Sequence, residues 1–175
     1  MKFQKLTLCA LLAAFICVIA PFSLPFGAVP LSLATFAVYI VASTVDIKIA
    51  IPSLLIYIFL GSFGLPVFSG FTGGFQQLAG ITGGYIIGYI PCVITVSLLT
   101  TKFKTKKFIY PTSMVFGTLF CYAFGILWYV FQTKCNIQTA FAVCVLPFIA
   151  GDVLKIVSAS IVGYNLRIKL SRMKG

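Results

Sequence analysis

Apolar residues run through this chain in long blocks rather than in alternation, and short clusters of proline, glycine and lysine separate the blocks. Helices that are apolar on every side are either buried in a large core or embedded in a bilayer. Six helical segments are expected, over approximately 6–20, 31–44, 49–63, 84–101, 110–131 and 142–170.

The breaks between blocks are informative in themselves. Pro21, Pro25, Gly27 and Pro30 follow the first block, so PFSLPFGAVP is an apolar connection that cannot be helical. Asp46 and Lys48 mark the turn between the second and third segments, and Pro52 falls in a first turn, where it is tolerated. Both segments are short beside the roughly 20 residues of a full crossing, which implies tilting or burial within a bundle. Residues 64–85, GLPVFSGFTGGFQQLAGITGGY, hold seven glycines in 22 positions. Non-helical backbone at membrane depth needs protein or a water-lined cavity to satisfy its polar groups. This glycine-rich loop is therefore expected to fold onto the bundle and help close a site. Pro91 is expected to kink the fourth segment, Pro147 to start or kink the last, and QTKCNIQT (132–139) to be exposed.

Composition sets the solvent. The chain is 61% hydrophobic and 9% charged, against roughly 45–50% and 25% for soluble domains. An all-α membrane protein with six transmembrane helices and one membrane domain over 1–175 follows. The opening lysines before an apolar block resemble a cleavable signal. The residues before Pro21 make a poor small-residue cleavage site, however, and five further spans follow, so a retained first helix is expected.

The net charge of +11 reads as topology rather than as nucleic-acid binding. Six crossings place Lys2, Lys5, Lys48, the four lysines of KFKTKK (102–107), Arg167, Lys169, Arg172 and Lys174 on one side, and Lys134 alone on the other. Cytoplasmic loops carry the excess of Lys and Arg, so both termini are expected to be cytoplasmic in a multi-pass cell-membrane protein.

Chemistry has little to build on. There is no histidine, and Cys9, Cys17, Cys92, Cys121, Cys135 and Cys144 show no metal-binding or redox spacing, so neither metal nor cofactor is expected. A Cys135–Cys144 disulfide is compatible with an outer location, but no pattern calls for it. No catalytic constellation and no phosphate-binding loop is present, so the protein is not expected to be an enzyme, and energy for any transport must come from elsewhere.

Asp152 and Lys155 stand out, three residues apart on one face of an apolar helix. Mutual neutralisation is one reading; a ligand pocket is the other and is favoured, because ionisable groups within spans usually mark ligand or ion paths. Phe68, Phe71, Phe75, Tyr85, Trp128 and Tyr129 are near enough in sequence to supply apolar walls, or are simply packing residues. Ala10 and Ala14 have the small-xxx-small spacing that lets a second helix approach, from a partner or from within the bundle.

Several segments together resemble the BioY family, the biotin-specific substrate-binding components of energy-coupling-factor (ECF) transporters. They are PFGAVPLSLATFAV, LLIYIFLGSFGLPVFSG with the following GG and TGGYIIGY, YAFGILW, and LPFIAGDVLK, and together they cover nearly the whole chain. The resemblance implies high-affinity capture of biotin at the outer face and its delivery inward, with a transmembrane coupling subunit and two ATPase subunits as partners. It maps the family's helix-six Asp and Lys onto Asp152 and Lys155. With Thr35, Gly74, Gln76 and Tyr85 these form the expected substrate-binding set, and Ala10 and Ala14 the expected docking face. Two positions depart from the family pattern: Ala34 stands where Gln is common, and Ile81 where Pro is common.

Overall fold

Helix α1 (Lys2–Ile19) stops just before Pro21, and the chain then turns back as a short antiparallel hairpin, β1 (Ser23–Leu24) with β2 (Leu31–Ser32). The structure is a computed structural model that describes residues 2–25 and 29–172, with side chains over 3–25 and 29–170. Gly27 and Lys174, used above as a helix breaker and an end charge, lie outside the described residues. Among the described residues the order continues with α2 (Ala34–Thr44), α3 (Ile47–Ser62), α4 (Phe75–Ala79), α5 (Gly83–Lys102), α6 (Ile109–Thr133), α7 (Ile137–Cys144) and α8 (Ile149–Arg172).

Two expected helix boundaries change. The second helix begins at Ala34 rather than at residue 31, because Leu31 and Ser32 are taken into the hairpin. The Leu33 N–H donates to the Phe22 carbonyl, and Ser32 Oγ accepts from the Ala34 N–H. The segment expected over 142–170, with a start or kink near Pro147, is two helices that part there, and the first of them begins earlier, at Ile137. Pro147 has no N–H to give, and the chain turns between α7 and α8, with the Phe148 N–H closing on the Val145 carbonyl before Asp152 opens the new ladder on Phe148. Part of the stretch expected as a polar connection, from Ile137, belongs to α7. Pro91 lies inside α5, which runs on through it. All six cysteines are free thiols.

The short α2 is the pillar of the molecule: nine of its eleven residues are buried, and α8, α5 and α1 pack around it. Small residues set the closest approaches. A Cβ on Gly163 of α8 would fall 2.1 Å from Ser43 Oγ of α2, and one on Gly84 of α5 would fall 2.4 Å from the Cβ of Trp128 on α6. The outward faces are apolar. Phe116, Leu119, Leu127 and Phe131 of α6 and Val153, Leu154, Val157 and Ile161 of α8 are all exposed, a surface far more apolar than water-facing proteins carry. Among the described residues three helices are long and apolar enough to cross a membrane, Gly83–Lys102, Ile109–Thr133 and Ile149–Leu170, and the helices over Phe3–Ile19, Ala34–Thr44 and Ile47–Ser62 are apolar and shorter.

At the C-terminal end of α2 a second polar cluster fixes the bundle. Arg167 of α8, 5% exposed, donates to the carbonyls of Ser43 and Val45, to Thr100 and Thr101 of α5, and to Asp46 at the head of α3.

Candidate functional site

Above the N-terminal end of α2 lies a cavity of about 520 Å³, within the usual range of small-molecule sites. It exists because three irregular segments meet there: the end of the hairpin, the glycine-rich stretch, and the first turns of α8. Pro30 and Ser32 come from the first, Phe68 through Thr82 from the second, and Asp152 and Lys155 from the third.

The glycine-rich stretch is braced on both sides. The Phe68 ring drops onto α3, where Gly61 leaves it room and Tyr57 meets it edge-on at 5.6 Å between centroids. Gly74, with φ of +98°, turns the chain into α4, a conformation that a Cβ would strain. From α6, Trp128 Nε1 donates to the Gly80 carbonyl at 2.8 Å and the Gln132 amide donates to the Ala79 carbonyl. The hairpin and the glycine-rich stretch also touch each other, through the Gly70 N–H on the Pro21 carbonyl at 2.9 Å and an edge-on Phe22–Phe71 pair.

The polar end of the cavity belongs to α8. Asp152 and Lys155 are 6% and 8% exposed and pair at 3.0 Å between Oδ1 and Nζ. Tyr122 of α6 donates its hydroxyl to the other carboxylate oxygen at 2.5 Å, and Lys155 donates a second bond to Thr35 Oγ1 of α2 at 3.2 Å. Both ions are thus held by neighbours on separate helices without exhausting them. An ammonium has three N–H donors and a carboxylate about four acceptor positions, so one donor and further lone pairs are left. At the floor, Thr118 shares a 2.6 Å hydrogen bond with Tyr39.

Of the residues singled out from the sequence, Thr35, Gln76, Tyr85, Asp152 and Lys155 all line the cavity. Gly74 does not; it shapes the wall by starting α4. Tyr85 is anchored by its hydroxyl, which donates to the Cys144 carbonyl at 2.5 Å, while Gly125 of α6 makes room for its ring. Ala34 and Ile81, the two departures from the family pattern, are both at the cavity wall. Phe68 lines it as well, whereas Phe71 and Phe75 are exposed, Trp128 acts as a brace, and Tyr129 packs beside Phe148 in a small outer cluster. Ala10 and Ala14 are exposed on α1, while Cys9, Ala13 and Ile16 face the core.

Tyr57, Tyr89, Tyr122 and Phe148 also line the cavity and were not singled out. For Tyr122 a signal was present: Tyr122, Gly125 and Tyr129 recur at i, i+3 and i+7, one face of a helix.

Fold and site together define a helical membrane protein with a partly open cavity, walled by apolar and neutral polar side chains and charged at one end. The BioY family model matches residues 1–172, and the chain belongs to that family. It is 33% identical to the biotin transporter BioY2 of Lactococcus lactis subsp. cremoris, over 97% of this chain and 93% of that one. It is 36% identical to a probable biotin transporter BioY of Pyrococcus horikoshii over 95% and 98% of the two chains, and 34% identical to the biotin transporter BioY of Thermotoga maritima over 94% and 96%. A crystal structure of the S-component for biotin from an ECF-type ABC transporter superposes with a TM-score of 0.86 at 26% identity, covering 95% of this chain and 92% of that one.

Proposed function

We propose that this protein takes up biotin, capturing it in the cavity at the outer face and delivering it to the cytoplasm as the substrate-binding component of an ECF-type transporter. The observation that carries this reading is the Asp152–Lys155–Tyr122–Thr35 cluster buried at one end of a cavity whose other walls are apolar and neutral polar side chains. A cyclic urea offers N–H donors beside a carbonyl acceptor. The carboxylate of Asp152 accepts the first and the ammonium of Lys155 donates to the second. Tyr57, Phe68, Tyr85 and Tyr89 are apolar surface for the rest of a small bicyclic molecule. An enclosed ion pair with no cavity beside it would be explained by packing alone; here a space large enough for a vitamin opens on it.

Three long and three shorter apolar helices are consistent with six crossings, with α4 and α7 outside that count. The excess of basic residues at the Arg167 end favours cytoplasmic termini. A transmembrane coupling subunit and ATPase subunits supply the energy, and the exposed Ala10 and Ala14 of α1 are a face on which a helix of the coupling subunit can approach closely. The whole chain acts as one substrate-binding domain.

The test is equilibrium binding of labelled biotin to purified, folded protein, comparing wild type with Asp152→Asn and Lys155→Ala. Saturable binding that both variants lose while staying folded is the expected outcome. Absence of wild-type binding sinks the assignment, and displacement by another small vitamin in preference to biotin redirects it.

A further inference from the structure

The cavity has a second polar feature, on the glycine-rich stretch braced against α3 rather than on α8. Ser69 lies in the turn between Phe68 and Thr72, which pair as an isolated bridge, and this turn is carried on α3 through the Phe68 ring. The Ser69 side chain lines the cavity, and its Oγ is the buried side-chain oxygen or nitrogen without a hydrogen-bond partner among the described residues. A buried hydroxyl left unpaired is costly, and such a group in a native fold calls for an explanation. Its neighbour gives a contrast: Thr72 Oγ1 is already committed, donating to the Ser69 carbonyl at 2.9 Å.

Charge decides what Ser69 can receive. Asp152 and Lys155 cancel each other at the α8 end, and they are the two ionised groups at the cavity wall. An anionic group placed against Asp152 would meet a like charge. The wall around Ser69 carries no acid, and its side chains Ser69, Thr72, Gln76 and Gln77 are neutral hydrogen-bonding groups. A carboxylate, which accepts hydrogen bonds and gives none, fits that wall.

Resting on the reading of the cavity as a biotin site, we propose that Ser69 is a specificity-determining residue whose hydroxyl donates to the ligand's carboxylate, at the end of the molecule opposite its cyclic urea. The ligand then spans the cavity, with its donor–acceptor ring at the α8 ion pair and its acceptor-only tail at the turn on α3. A serine hydroxyl hangs on one rotatable bond, so an oxygen that no protein group holds is free to turn to a ligand group.

The experiment compares binding of biotin and of biotin methyl ester to wild type and Ser69→Ala, with thermal melting in detergent as the folding check. The expected result is at least a tenfold loss of biotin affinity in Ser69→Ala and a clearly smaller loss for the ester, whose neutral carbonyl accepts a weaker bond than a carboxylate does. Equal biotin affinity in wild type and Ser69→Ala overturns the proposal and leaves the biotin site standing. An equal loss for biotin and its ester also overturns it, since Ser69 would then act on the ring or on the fold of the turn. Absence of biotin binding by wild type overturns both this proposal and the function on which it rests.

Discussion

Arg167 and Asp46 meet at 2.7 Å across the base of the bundle, and the two partners are unequally buried: the arginine side chain is 6% exposed and the aspartate side chain 53%. The aspartate has water to fall back on and the arginine has none. Arg167 also holds the carbonyls of Ser43 and Val45 at the end of α2, so its role extends beyond the ion pair.

This asymmetry predicts unequal losses of stability. Asp46→Asn should cost about 0.5–1 kcal/mol, as for a solvent-screened pair. Arg167→Met should cost about 2–3 kcal/mol, because it strands the buried Ser43 carbonyl, whereas that of Val45 keeps the Ser97 hydroxyl. Thermal or denaturant melting in one detergent measures both, and equal losses would refute the arrangement.

Tyr122 fixes the carboxylate of Asp152 from α6. Tyr122→Phe keeps the ring and deletes that bond. A hydrogen bond to a charged group contributes about 1.5–3 kcal/mol to stability, so the melting temperature should fall, and biotin affinity should fall as well because the carboxylate loses its fixed direction. Unaltered affinity would mean that Lys155 alone positions the carboxylate.

Gly163 is where α8 lies closest to α2. Gly163→Ala would drive a methyl group into Ser43 Oγ, and overpacking of this kind costs about 1–3 kcal/mol. Ser43→Ala in the same chain removes the nearest atom and should recover part of the loss, which a double-variant melting series reads directly. Simple additivity of the two changes would show that they do not meet.

Trp128 ties the glycine-rich stretch to α6 through Gly80. Trp128→Phe retains most of the apolar contact and loses the N–H donor. A loosened cavity wall should appear as faster biotin release, by several-fold, with the association rate nearly unchanged. A stopped-flow exchange experiment distinguishes that from a loss of binding sites.

Much of this was legible from apolar blocks and their breaks. Helices need long apolar runs and loops need Pro and Gly, so α1, α3, α5 and α6 fall close to where the chain announces them. The convergence of the hairpin, the glycine-rich stretch and Asp152 agrees with the expectation that six alternating crossings would bring all three to one side. What escaped were features set by tertiary contact. Leu31 and Ser32 are as apolar and helix-compatible as their neighbours, and only pairing with Ser23 and Leu24 draws them into a hairpin. Arg167 looked like one more basic residue at a cytoplasmic end; that it turns inward depends on the carbonyls at the end of α2, which no local pattern encodes. Tyr122 had its periodic signal, but a tyrosine in an aromatic-rich helix does not say which hydroxyl will find a carboxylate.

The cavity and the Arg167 cluster lie at opposite ends of the same two helices. Asp152 and Arg167 are fifteen positions apart on α8, about 22 Å along its axis. Between them the bundle is filled by the tightly packed side chains of α2, with Tyr39 and Thr118 bonded across the top and Arg167 stitched across the bottom. In a bilayer, packing of this kind would insulate the solute space at one end from the charged cluster at the other.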